Sequence, residues 1–155
     1  MKTLRVPRGK SFRSSLLALR ACNEACAWVG RRSLRTAWRL CERGDWMLWL
    51  AATAGVDRRL LVRAACDCAR LALPRVPAGE NRSRVAIETA ERWCDGLATL
   101  DEVRAAAAAA YAAAAYAASS AAAAERPATG RQCAGLVRAR IPYAVIATAM
   151  ESSHG

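Results

Sequence analysis

Apolar residues recur at three- and four-residue steps along most of this chain, the period of helix surfaces packed on a core. From Ser14 or Ser15 the positions Leu16, Leu19, Cys22, Cys26 and Val29 share one stripe, which predicts a first helix stopped by Gly30. Leu34, Ala37, Trp38 and Cys41 make a second stripe over 33–42, ended by Gly44. Asp45 then stands where a cap is needed for a third helix, Trp46 to Ala54, closed by Gly55. That segment has little polar surface, as a buried helix would.

The fourth helix has the clearest two-sided pattern. After the candidate cap Asp57, residues Leu60, Leu61, Ala64, Ala65, Cys68, Leu71 and Ala72 fall on one side, with Arg59, Arg63, Asp67 and Arg70 on the other. Pro74, Pro77 and Gly79 break it. Asn81 is the candidate cap of a fifth helix, in which Arg84, Glu88 and Arg92 form a ladder, Ala86, Ala90, Trp93 and Cys94 face inward, and Gly96 is the stop. Thr99 and Glu102 read as a capping box. The helix they open meets no breaker before Pro127, roughly 40 Å at 1.5 Å per residue. Residues 105–124 of it are almost pure Ala, with Tyr111 and Tyr116 fixing its orientation. A further helix from Ala128 to near Arg140 gives way at Ile141-Pro142 to a short helical segment reaching Met150.

No stretch alternates like a strand and no Gly-rich phosphate loop follows one. The fold class is therefore all-α: a single-domain antiparallel array of about six or seven helices with one long Ala-rich helix. Residues 1–13 read as a basic flexible N-terminal arm, 14–150 as the helical domain and 151–155 as a disordered tail. The core is expected to include Leu48, Trp49, Leu61, Ala65, Trp93 and Val103. With one Phe in the chain, Trp38, Trp46 and Trp49 are expected to fill the interior, leaving Trp28 exposed. The Ala run is long enough for a membrane span. Ala is only marginally apolar, however, and Ser119 and Ser120 interrupt the run without Leu or Ile to anchor it, so no membrane is expected.

Charge changes the picture more than composition does. The 155 residues carry +11, nearly all of it Arg, since Lys2 and Lys10 are the only lysines. Residues 1–43 hold eleven basic side chains against Glu24 and Glu42, a net of +9, and the remaining 13 basic and 11 acidic side chains leave +2. A basic front of this kind draws an acidic protein partner or, as the alternative, nucleic acid. Arg31, Arg32, Arg35, Arg39 and Arg43, with Trp28, are the candidate partner-binding residues; the last three arginines recur every four residues, as one helix face would. No nucleic-acid recognition motif or base-reading set accompanies them.

Candidate chemistry is sparse. Seven cysteines is an odd number in no finger or ribbon spacing, which predicts free thiols in a cytoplasmic protein. Met1 to Arg13 is charged and the apolar run Leu16 to Leu19 is too short for a signal peptide. Cys22 and Cys26 share a helical face as two ligands would. A metal centre would nonetheless need four gathered thiolates, because the sole histidine, His154, lies in the tail; no metal or cofactor is expected. That histidine also leaves no Cys-His or Ser-His pair, so no enzyme is expected. Asp45 and Glu42 beside Arg43 read as a cap and a surface ion pair.

The run Trp38-Arg39-Leu40-Cys41-Glu42-Arg43-Gly44-Asp45-Trp46-Met47-Leu48-Trp49-Leu50 resembles the signature of a family of helical bacterial immunity proteins from toxin systems. The Leu60–Leu73 segment, the Ala86–Trp93 block with Gly96, Leu100–Arg104, Leu136-Val137-Arg138 and Ile141-Pro142 follow in the family's order. The resemblance covers about Ser15 to Tyr143. It implies a helical protein that binds and neutralises a cognate toxin and brings no catalytic residues; separately, the domain is expected to be a monomer or homodimer. Trp38, Gly44, Asp45, Trp46 and Trp49 would be its structural motif. The basic front of this chain favours an acidic target surface.

Overall fold

The computed structural model describes residues 11–117 and 126–152. The arm up to Lys10, the side chains of Tyr111 and Tyr116, residues 118–125 and His154 lie outside what is described. Among the described residues every regular element is helical: α1 Phe12–Ala18, α2 Asn23–Val29, α3 Leu34–Leu40, α4 Gly44–Thr53, α5 Arg58–Arg70, a 3-10 turn Leu73–Arg75, α6 Arg82–Cys94, α7 Leu100–Ala117, α8 Arg126–Arg140 and α9 Tyr143–Ser152. The helical class expected from the pattern is present, with more helices than the six or seven expected.

Part of the excess arises at one residue. The stripe from Leu16 to Val29 predicted one helix, but α1 stops at Ala18 and Arg20 takes a left-handed φ of 61°. The Arg20 amide then bonds the Leu17 carbonyl and the Ala21 amide the Leu16 carbonyl, closing the helix in a Schellman motif. Gly55 and Gly96 end α4 and α6 with the same pair of bonds, as their sequence positions predicted. At Arg20 no glycine advertised the turn.

The caps also sort out physically. Asp57 accepts from the Leu60 amide at 3.1 Å, as expected. Thr99 and Glu102 form the reciprocal capping box, with Glu102 accepting from the Thr99 amide at 2.6 Å. Asn81 makes no side-chain cap; Glu80 accepts from the Arg82 amide instead, at 2.8 Å. Pro127 falls in the first turn of α8, where its missing N–H costs nothing.

One core joins α1–α5 with α8 and α9, through Leu16, Cys26, Trp38, Met47, Ala64, Val137, Ile141 and Ile146. α6 packs on α5, burying Cys66, Ile87 and Cys94, and α7 packs along α6. Surface pairs tie α5 outward: Arg63 to Asp95, Arg70 to Glu91 at 2.6 Å and Arg140 to Asp67 at 2.6 Å. The expected ladder of Arg84, Glu88 and Arg92 is not made; Arg92 donates to the Leu97 carbonyl.

Several expected core positions are corrected. Leu48 and Leu61 are half-buried but pack against the core, whereas Trp93 and Val103 are half-buried outside it and Ala65 is exposed. α5 is flanked on two sides, so Ala64 turns to the main core and Cys66 to α6, leaving Ala65 outside. Among the described residues no single helix is long and apolar enough to cross a membrane. The α8–α9 pair is apolar enough together but bent by 73°, and its Val137, Ile141 and Ile146 are spent in the core.

Candidate functional site

The Trp38–Leu50 run folds as the α3–α4 corner, and α8 is what it packs against. Trp38 is buried, and its indole N–H donates to the Ile141 carbonyl at 3.2 Å. In return the Arg138 guanidinium donates to the carbonyls of Trp38, at 3.2 Å, and Cys41, at 2.8 Å, which are the last carbonyls of α3. A cation there satisfies orphan acceptors and the helix dipole together. Gly44 was expected as a stop and Asp45 as a cap; instead Gly44 opens α4, and it packs so closely on α8 that a Cβ there would stand 2.5 Å from the Cys133 Cβ. Asp45 makes no cap and sits in the first turn, where its carboxylate accepts two bonds from Arg43, at 2.9 and 2.7 Å. Those hydrogen bonds hold the Asp45 carboxyl below the usual carboxylate range.

α1 to α4 leave an open, mostly apolar groove of about 440 Å³ between them. Trp28 and Trp46 meet edge to face with ring centroids 6.1 Å apart, and Trp49 contributes a third indole. Two expectations change here. Trp28, expected exposed, is half-buried against Trp46, whereas Trp49, expected in the core, is 39% exposed. Three bulky rings cannot all reach a corner already filled by Trp38 and Met47. Arginines brace the walls: Arg32 lies over Trp28 at 5.0 Å and Arg43 over Trp46 at 4.5 Å.

The five candidate arginines divide into two sets. α3 ends at Leu40 and the chain leaves it extended, so Arg43 does not continue the face of Arg35 and Arg39. Its charge is met by Asp45 and by Glu24 at 3.4 Å. Arg35 and Arg39 stand one turn apart on α3, and Arg31 and Arg32 lie in the turn leading into it. All four are exposed. Among the described residues no carboxylate lies within ion-pair distance of them. Arg35 stacks on Tyr143 at 4.5 Å. Sequence spacing suggested this surface; the groove beside it had no sequence signal, since its walls come from four helices.

The thiols do not gather. Among the described residues no group of three or more His, Cys, Asp and Glu stands where it would hold a metal. The seven cysteines are unpaired, Cys22 alone being exposed. Burial pushes the Cys66 thiol up to about 11 and, together with a bond to Cys133, the Cys68 thiol up to about 12.

No curated protein and no solved structure matches the chain. A family model does, over residues 52–137, from the end of α4 into α8, while every residue lining the Trp groove precedes that segment. With a match over more than half its length, and with an all-helical fold, the chain belongs to the Imm-5 like putative immunity protein family.

Proposed function

We propose that this protein is a non-catalytic immunity protein that neutralises a cognate toxin by binding an acidic surface of it. Family membership supports the immunity role. The observation that carries the binding mode is the set Arg31, Arg32, Arg35 and Arg39, exposed, close together and without carboxylate partners among the described residues. Unneutralised cations on one surface steer an acidic partner and raise its association rate more than its final affinity. This reading puts the protein in the cytoplasm, where its thiols stay reduced.

The test begins with the genes beside this one, and a toxin encoded there is the partner to be used. Reversing Arg31, Arg35 and Arg39 to Glu should slow association strongly and weaken its dependence on salt, with helicity unchanged. An association rate indifferent to the reversal overturns the reading. So does retention of nucleic acid alone in a pull-down run with and without nuclease, since duplex binding falls with log salt by roughly 0.9 per phosphate neutralised.

A further inference from the structure

The Trp-walled groove has an open mouth, and the charges around it restrict what fills it. Arg20 lines it, and Arg32 lies over the ring of Trp28, a lining residue. Asp45, the one acidic lining residue, is already held by Arg43. Around the groove Arg20, Arg32 and Arg43 face Asp45 and Glu24, both of which pair with Arg43, so Arg20 and Arg32 leave the rim with a positive excess over an apolar floor. The chain's own first ten residues bring Lys2, Arg5, Arg8 and Lys10 and no acid, and a second copy brings a net +11, so both carry like charge to the rim. An acidic segment bearing a large apolar side chain complements rim and floor together. The volume, about 440 Å³, lies within the range of about 300–1,000 Å³ found for pockets that bury most of a ligand.

Resting on the immunity reading above, we propose that this groove is the anchor pocket for the toxin, taking one aromatic or large aliphatic side chain from a segment flanked by Asp and Glu. The basic surface of α3 then governs how fast the partner arrives, and the groove how long it stays.

Cys22 reports on occupancy, because it lines the groove and is exposed while the other cysteines are not. The probe is a short peptide with Phe between runs of Glu. At nine-tenths occupancy it should slow iodoacetamide alkylation of Cys22 by about tenfold. Peptides with Lys in place of Glu, or Ala in place of Phe, should leave the rate near that of the free protein. Equal protection by all three, or none at millimolar peptide, overturns the proposal. Alkylation that speeds up in Leu4→Asp/Val6→Asp protein would show the chain's own arm in the groove, and protection that grows with protein concentration would show a second copy; either result also overturns it. Against the toxin itself, Ala21→Trp, which puts an indole on a lining position, and Trp49→Ala, which removes an exposed part of the wall, should raise the dissociation rate at least tenfold and leave association unchanged. Unchanged dissociation in both folded variants removes the groove and spares the arginine surface. Peptide protection without any toxin binding removes the immunity reading and leaves the groove as a site for acid-flanked apolar segments.

Discussion

At Gly44 the helix propensity and the packing point in opposite directions. Ala favours a helix by about 1 kcal/mol over Gly, yet its Cβ would stand 2.5 Å from the Cys133 Cβ and 3.0 Å from the Ala134 amide nitrogen. Backbone cannot yield as a side-chain end can, and overpacking of this kind costs about 1–3 kcal/mol. Gly44→Ala should therefore lower stability by about 1–2 kcal/mol in a denaturant melt, and a gain would refute the close packing of α4 on α8. Arg20 presents the opposite case. It holds a left-handed φ that costs a non-glycine residue about 1 kcal/mol, so Arg20→Gly should raise the midpoint of the same melt. Trp38→Phe keeps the ring volume approximately but leaves the buried Ile141 carbonyl without its donor. A loss of about 1–3 kcal/mol is expected by chemical denaturation. The sequence reading singled out Gly44 and Trp38, but the contacts that constrain them were not legible, because Cys133, Ala134 and Ile141 lie far along the chain. Arg20 gave no signal at all.

At the scale of elements, termini were read well wherever a local rule decides them. Asp57, the Thr99–Glu102 box, Gly55 and Gly96 each act within a few residues of themselves, and all stand where the pattern predicted. Thr99→Ala should cost about 1 kcal/mol, as loss of an N-cap does, seen as a lower melting temperature. Acid reaches the same devices. A backbone bond from Thr99 holds the Glu102 carboxyl low, and bonds from Arg82 bring Glu80 down to about 2. For both groups the folded pKa lies below the unfolded one, so their stabilisation is whole above about pH 4.5 and fades as pH falls, for Glu80 toward about 2. Glu80→Gln should flatten that acid limb in a titration followed by circular dichroism. Faces were read less well than ends. The α3 stripe predicted Arg35, Arg39 and Arg43 together, but the Cys41 turn that places Arg43 beside Asp45 is held by Arg138 of α8.

For the whole molecule, buried thiols impose an alkaline limit. The Cys66 and Cys68 pKa values are raised above 9.0, so the stability they contribute is full below that pH and is lost as pH climbs toward 11 and 12. The melting temperature should fall over this interval, and Cys66→Ala should remove part of the fall. The sequence by itself determined the helical class, the basic front and most helix ends, because periodicity, capping and charge are properties of neighbouring residues; the family came from resemblance alone. Which face of each helix is buried was decided only by the assembled structure: Ala65 and Trp49 turn outward since α6, α8 and Trp38 already occupy the space they would need. The groove is likewise tertiary. Phe12, Trp28, Trp38 and Trp46 come from four separate helices, so no spacing along the chain marks them as walls of one cavity.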